Sequence, residues 1–220
     1  AEVFRPTDER SESLQSNRMT TPNRCGVSCN GLLGGLGELY LLVPPGVATT
    51  ADPYPTLHWY QPTAGTNRIE VNLYHYDPEI SLEMEQFSPL LKTQAIVSGE
   101  PGITALPLSE ATDLEPLTVG ETYYWEVMFF CDPASCDADK HVWGWVQRVE
   151  LDAATAQQLA SASLTEQVAI AADAGLWFEA VTGLVTLLRE QPNDPDLHQR
   201  WTELLVSVGL EVLADEPLMF

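Results

Sequence analysis

The segment TYYWEVMFFC, residues 122–131, decides the fold class of this 220-residue chain. Its odd-numbered positions from 123 to 129 carry only large apolar side chains, whereas the even-numbered positions mix aromatic, acidic and thioether groups. Because neighbouring side chains of a β-strand point to opposite faces, this alternation predicts a strand with one face in a protein core. The segment VWGWVQRV at residues 142–149 follows after a short loop, and we expect the two to pair as a hairpin.

Shorter β patterns precede this hairpin and are separated by Pro and Gly turn residues. They lie at residues 39–43, 56–60, 69–76, 93–97 and 102–108. We expect the last two to form a second hairpin around Gly99, Glu100 and Pro101. About seven short strands without intervening helices predict an antiparallel β-sandwich of the immunoglobulin-like type.

The hydrophobic period changes from two to about 3.6 after Leu151, which predicts helices. Asp152 is the expected N-cap of the first, and Ser163 with Glu166 forms the capping box of the second, which ends near Gly175. Apolar stripes at residues 177–188 and 197–208 predict two more helices. The fold class is therefore α+β, with an extended polar segment at residues 1–24, the sandwich at 25–151 and a small helical bundle at 152–220.

The charge balance limits the partners of this protein. Ten basic and 32 acidic residues give a formal net charge of −22, and hydrophobic residues make up 45% of the chain. The negative electrostatic field of such a protein repels nucleic acids and anionic bilayers. The sequence contains no apolar run long enough for membrane insertion. Because the chain begins at Ala1 rather than Met, we expect an exported protein, extracellular or periplasmic, with its signal peptide removed.

Four cysteines fit that compartment. Cys25 and Cys29 form one close pair, and Cys131 and Cys136 form another about a hundred residues later. An even number of cysteines favours disulfides in an oxidising environment, and neither pair has the C-x2-C spacing or a neighbouring His typical of a zinc site. Three disulfide connectivities are compatible with the sequence.

Patterns that carry chemistry are weak throughout the sequence. The four histidines are scattered without an H-E-x-x-H motif, and the segment GVSCN at residues 26–30 lacks the final Gly of a nucleophile elbow. We therefore predict no catalytic residue, no enzyme activity and no cofactor. One alternative is Ca²⁺ bound by Asp132, Asp137 and Asp139, although their loop lacks the EF-hand pattern. Another is acid–base chemistry on a sugar by loop carboxylates.

Aromatic and apolar side chains supply the candidate interaction sites. Exposed aromatic strips on strands bind sugars or other proteins. The candidates combine strand aromatics, helix tryptophans and the one apolar pair of the N-terminal segment: Trp59, Tyr74, Tyr76, Trp143, Trp177, Trp201, Val3 and Phe4.

Several segments resemble one cyanobacterial family, catalogued as domain of unknown function 928. They are residues 120–125, 131–133, 144–149, 151–160, 172–180, 192–195 and 207–210, so the resemblance spans about residues 25–218. It implies an exported protein with no known active site, and it implies a disulfide from one N-terminal cysteine to Cys131. Residues 175–209 also resemble a tetratricopeptide-like helical hairpin. Such a unit buries its apolar face only against a neighbour.

Two functions follow as hypotheses. The first is a non-enzymatic structural protein of the cell envelope that associates with itself, as a homo-oligomer or polymer such as an extracellular filament, or with another envelope protein. The polar N-terminal segment and the unshared face of the helical unit favour it. The alternative is a monomeric envelope module that binds a glycan through the aromatic strip or a peptide through the helical hairpin.

Overall fold

A computed structural model describes residues 38–62, 65–77, 88–130, 134 and 138–219. The strands are β1 (Tyr40–Leu41), β2 (Val47–Thr50), β3 (Thr56–Gln61), β4 (Gly65–His75), β5 (Leu91–Gly99), β6 (Gly102–Pro107), β7 (Thr122–Phe130) and β8 (Lys140–Arg148). Four helices follow: α1 (Ala153–Ser161), α2 (Leu164–Asp173), α3 (Trp177–Glu190) and α4 (Pro195–Ser207). The predicted α+β class is confirmed.

The strands form two sheets. One has three strands in the order β1-β3-β6, and the other has five in the order β2-β8-β7-β4-β5. The predicted pairing of β7 with β8 is confirmed, with Val127 opposite Val142 in an antiparallel register. β7 also pairs with β4, so it lies at the centre of the larger sheet.

The expected hairpin around Gly99, Glu100 and Pro101 is wrong. β5 pairs with β4 in the larger sheet, whereas β6 pairs with β3 in the smaller one, so this connection passes between the sheets. Two-residue hairpin loops need residues with positive φ, and neither Glu100 nor Pro101 has one. β5 instead pairs with β4 over nine residue pairs.

The expectation of purely antiparallel pairing is also wrong at one position. β2 was not predicted as a strand, and it pairs with β8 in parallel, from Val47 opposite Trp145 to Thr50 opposite Arg148. With only four residues, β2 is too short to show an alternating pattern. It begins directly after Gly46, whose φ of 80° turns the chain after the two prolines.

The helix termini follow the predicted capping chemistry. The Asp152 carboxylate accepts hydrogen bonds from the backbone N–H groups of Ala154 and Thr155. Ser163 and Glu166 form the reciprocal capping box of α2. Gly175 and Gly209, with φ values of 75° and 73°, lie just beyond the ends of α2 and α4.

Both sheets and the helices contribute to one hydrophobic core. Trp125 and Phe129 of β7, Leu57 of β3, Trp177 of α3 and Trp201 of α4 belong to a single cluster of buried side chains. We call the face of the five-stranded sheet that contributes to this core the inner face. The face that carries the intervening residues of β7 is the outer face.

Polar contacts join α3 to the chain on both sides of β2. Trp177 Nε1 donates a hydrogen bond to the Leu42 carbonyl at 2.7 Å. The Oε1 atom of Glu179 accepts from Thr50 Oγ1, Ala51 N and Asp52 N at 2.9, 2.6 and 3.0 Å. Burial raises the pKa of the Glu179 carboxyl despite these bonds. This carboxyl group therefore links the helices to the sheets.

Glu179→Ala removes the acceptor of all three bonds and is expected to lower the free energy of unfolding by about 3 kcal/mol, at roughly 1 kcal/mol per bond. Glu179→Gln keeps the acceptor but loses the charge. Because the pKa of Glu179 is raised, the folded chain holds the carboxyl proton more tightly than the unfolded chain does. The free energy of unfolding of the wild type, relative to that of Glu179→Gln, should therefore be greatest below pH 4.5 and decrease as pH rises through the folded pKa. Denaturant unfolding of each variant across pH measures both effects.

Glu190→Gln, which alters an exposed residue at the end of the same helix, gives the reference for the loss of one negative charge. A wild-type stability that increases with pH relative to Glu179→Gln would contradict the assigned burial of Glu179.

Candidate ligand-binding face

The strand registers place side chains in rows across the outer face. The first row is aromatic, with Trp145, Tyr124 and Tyr74 side by side on β8, β7 and β4. The second and third rows contain the polar groups. They consist of Trp143, Glu126, Asn72 and Lys92, followed by His141, Met128, Glu70 and Gln94.

Glu126 lies at the centre of a hydrogen-bonded network on this face. Its Oε1 accepts hydrogen bonds from Asn72 Nδ2 at 2.9 Å and from the Tyr74 hydroxyl at 3.1 Å. Its Oε2 accepts from His141 Nε2 at 2.7 Å and from the Tyr124 hydroxyl at 3.4 Å. Only 6% of Glu126 is exposed, so these donors replace the water that a free carboxylate would bind. The network therefore holds four side chains from three strands in fixed positions.

The electrostatics of the network favour an ionised Glu126 and protonated tyrosines. Burial by itself raises the pKa of Glu126. The hydrogen bonds from His141, Asn72 and Tyr74, together with the charge of His141, have a larger effect in the opposite direction, so the pKa lies below its usual value. Burial and the neighbouring Glu126 charge raise the pKa of Tyr74 to about 12. The same two causes raise the pKa of Tyr124. Both phenols thus remain hydrogen-bond donors at physiological pH.

Aromatic rings surround the network. Tyr74 and Tyr124 have ring centroids 5.8 Å apart, and Tyr124 meets Trp145 at 5.2 Å. Tyr76, just beyond β4, contacts Trp145 edge-on at 4.9 Å. Tyr124 and Trp145 are buried under their neighbours, whereas Tyr74 and Tyr76 are half-buried. The exposed aromatic surface beside the network is therefore supplied by Tyr74 and Tyr76.

A second half-exposed group lies on β8. The rings of His141 and Trp143 are 5.2 Å apart, and 40% of the His141 side chain is exposed although its Nε2 atom bonds Glu126. Asn72 is only 3% exposed, and its Oδ1 atom has no hydrogen-bond partner among the described residues. A buried acceptor of this kind is stabilised by a donor from water or a ligand.

The far end of the outer face is closed by an ionic and aromatic contact. The Arg68 guanidinium lies 3.7 Å above the centroid of the Phe130 ring, a cation–π arrangement. Arg68 also forms an ion pair with the buried Glu70. Glu70 is thereby neutralised, and Glu126 remains the carboxylate beside the half-exposed rings.

Three predicted interaction residues do not lie on a surface. Trp59, Trp177 and Trp201 are 6%, 0% and 2% exposed, because each packs into the common core. Their assignment as contact residues is therefore wrong. Tyr74, Tyr76 and Trp143 are half-buried on or beside the outer face.

Other predicted site residues lie outside the described residues: Val3, Phe4, Cys25, Cys29, Cys131, Cys136, Asp132 and Asp137. The disulfide and calcium assignments consequently stay predictions. Within the described ranges, no group of three His, Cys, Asp or Glu side chains is arranged to hold a metal ion.

The histidines have separate environments. His58 is buried, and this burial lowers its pKa to about 4, so it is neutral at physiological pH. His75 pairs with Glu121 at 3.0 Å on the exposed end of β4, and His198 donates to the Pro192 carbonyl at 2.7 Å. Of the described helices, none has the length and apolar character needed to cross a bilayer.

The sequence did not identify Glu126, Asn72 or His141 as site residues. Each is a polar residue at an outward position of a strand, which normally indicates a solvated surface. Their convergence depends on the registers of β4, β7 and β8, which place Asn72 opposite Glu126 and His141 one row away. A carboxylate between an aromatic and a thioether side chain on one strand face, as for Glu126 between Tyr124 and Met128, was the available signal.

Comparisons with known proteins identify a family and a distant structural similarity. The family model described as Domain of Unknown Function (DUF928) matches residues 33–218. The curated proteins give no match. The chain is similar to the solution structure of the third fibronectin III domain of the human KIAA0343 protein, at 12% sequence identity and a TM-score of 0.25, over 56% of this chain and 94% of that domain.

Glu126→Gln tests the network. The substitution leaves Tyr74, Tyr124 and His141 with a weaker or reversed partner, so we expect a loss of about 1–3 kcal/mol in the free energy of unfolding at neutral pH. Because the pKa of Glu126 is lowered in the folded chain, the difference in free energy of unfolding between the wild type and Glu126→Gln should be largest above pH 4.5. It should disappear as pH falls through the folded pKa. Chemical denaturation at a series of pH values measures the difference.

Glu121→Gln is the matched control, since it breaks a Glu–His pair in which the carboxylate side chain is 47% exposed. Exposed pairs contribute about 0–1 kcal/mol. Equal losses for the two variants at neutral pH would show that Glu126 does not organise the outer face.

Proposed function

We infer the function of this chain from its own residues, since it belongs to the DUF928 family and the description of that family names no activity. We propose that the protein is a non-enzymatic glycan-binding module of the cell envelope, which holds its ligand against the outer face. The cyanobacterial origin and the tetratricopeptide-like character of α3 and α4 remain part of this proposal. So does the packing of the two sheets as an immunoglobulin-like sandwich.

The observation that carries the proposal is the position of an ionised carboxylate among half-exposed rings. Glu126 is held by Asn72, Tyr74 and His141. The half-buried rings of Tyr74 and Trp143 occupy neighbouring positions of the outer face, and Tyr76 extends the aromatic row through its contact with Trp145. Sugars present apolar C–H faces that pack on aromatic rings and hydroxyls that bond to fixed polar groups. Aromatic walls with a few placed polar groups are typical of ligand sites.

The negative charge of the protein limits which glycans can bind the outer face. With a formal net charge of −22, the chain repels polyanions at long range. Glu126 lies at the centre of the outer face, and Glu70, a second carboxylate described on this face, is paired with Arg68. We therefore expect a neutral glycan or one that carries amino groups, rather than a sulfated or uronic-acid polymer.

A glycan is favoured over a peptide held by the helical hairpin. The two tryptophans that would have formed that peptide site, Trp177 and Trp201, are core residues. A binding role is favoured over glycoside hydrolysis because both Glu126 oxygens already accept hydrogen bonds from neighbouring side chains. A general acid for that reaction needs a raised pKa, whereas the pKa of Glu126 is lowered.

Trp143→Ala and Tyr76→Ala should each weaken glycan binding by about two- to tenfold, since a packed ring contributes roughly 0.5–1.5 kcal/mol. A panel of neutral, amino-bearing and sulfated oligosaccharides, titrated by calorimetry against the wild-type chain, identifies the ligand class. The same titration with the best ligand then measures each variant.

Val212→Ala is the control, because it alters a residue that is 56% exposed and lies beyond α4. It should bind as the wild type does. Absence of binding to every member of the panel, or equal affinity of Trp143→Ala and wild type, would refute the proposal.

A further inference from the structure

The two sheets have four edges, and the chain itself closes or shortens three of them. At the β2 edge, Thr49 forms a bridge with Leu176 and its hydroxyl donates to the Gly175 carbonyl at 2.6 Å. At the β6 edge, Ile103 N donates to the Pro217 carbonyl at 2.7 Å and Met219 N donates to the Ile103 carbonyl at 2.8 Å. The β1 strand has only two residues.

The fourth edge is different because β5 is long and paired on one side. β5 runs over nine residues, and within the described part of the chain it pairs only with β4. An edge of this length presents a row of backbone N–H and C=O groups that an extended strand can bind. Natural proteins usually cover such an edge, as this chain does at β2 and β6.

The charge of β5 favours a second copy of this chain as the partner. The protein contains 32 acidic residues, yet the segment LKTQAIVSG contains none, and Lys92 is its single charge. Two copies with a net charge of −22 each repel one another over most of their surface. This repulsion is weakest where the contact segments lack carboxylates. Lys92, Gln94 and Ala95 are exposed, so the middle of the strand is accessible in the described structure.

We propose that β5 pairs with β5 of a second copy in antiparallel orientation, which joins two five-stranded sheets into one ten-stranded sheet. Full overlap of Leu91–Gly99 places Ala95 opposite Ala95 on the two-fold axis. The two Lys92 residues are then six positions apart, about 20 Å at 3.3 Å per residue, which exceeds the Debye length of about 8 Å. Like charges therefore do not oppose this register.

The symmetry of this contact predicts a closed dimer. The same strand is used by both copies, so the contact is isologous and leaves no second β5 edge for a third copy. Ala95 shares its face with Ile69, its partner in β4, and Ile69 belongs to the common core. The Ala95 side chain therefore points away from the outer face, so a variant at this position tests the dimer without altering the residues around Glu126. The dimer proposal does not depend on glycan binding.

Paired charge variants test the dimer. Ala95→Asp and Ala95→Lys each place two like charges opposite one another, within about 5 Å, and should weaken dimerisation at least tenfold. An equimolar mixture of the two places opposite charges there and should restore a dimer. Sedimentation velocity of the wild type, each variant and the mixture across a wide range of concentrations measures these species.

Val206→Asp adds the same charge at a residue that is 54% exposed on α4 and should leave dimerisation unchanged. The melting temperature of each variant confirms that the monomer is folded. A wild type that remains monomeric, a dimer that Ala95→Asp does not weaken, or a polymer that keeps growing with concentration would each overturn the proposal.

Discussion

Successive side chains of a β-strand point to opposite faces, and this constraint makes β7 the element on which the rest of the structure depends. Trp125 and Phe129 enter the common core, so they fix the strand at the centre of the larger sheet. The residues between them must then face outward, where Glu126 meets donors from β4 and β8. One strand thus determines both the core and the candidate binding face.

The helices depend on the sheets through a small number of specific contacts. Trp177 and Glu179 attach α3 to the chain around β2, and the side chains of α3 and α4 complete the same core that β7 enters. The helical part therefore contributes its apolar face to the sheets and retains no exposed tryptophan for a partner. Its C-terminal residues also close the edge of β6. Among the described elements, the outer face and the free edge of β5 are the surfaces proposed for recognition.

Local sequence patterns predicted what depends on local physics. Short apolar runs, alternation and turn residues together located seven of the eight described strands. Asp152, Ser163 and Glu166 marked helix starts correctly because capping is a short-range hydrogen bond. The partner of β5 could not be predicted, since the choice between β4 and β6 depends on long-range registers. The Glu126 network was missed for the same reason. Asn72 is 54 positions away in sequence and meets Glu126 only through strand pairing.

A glycan that binds the outer face should leave the hydrophobic core unchanged. The six tryptophans give six indole N–H signals in a two-dimensional ¹H–¹⁵N spectrum, with Trp143 and Trp145 on the outer face and the other four in the core. During titration with an oligosaccharide that binds, we expect the signals of Trp143 and Trp145 to shift and those of the four core tryptophans to stay in place: Trp59, Trp125, Trp177 and Trp201. Shifts confined to Trp177 and Trp201 would contradict it and move the binding site to the helices.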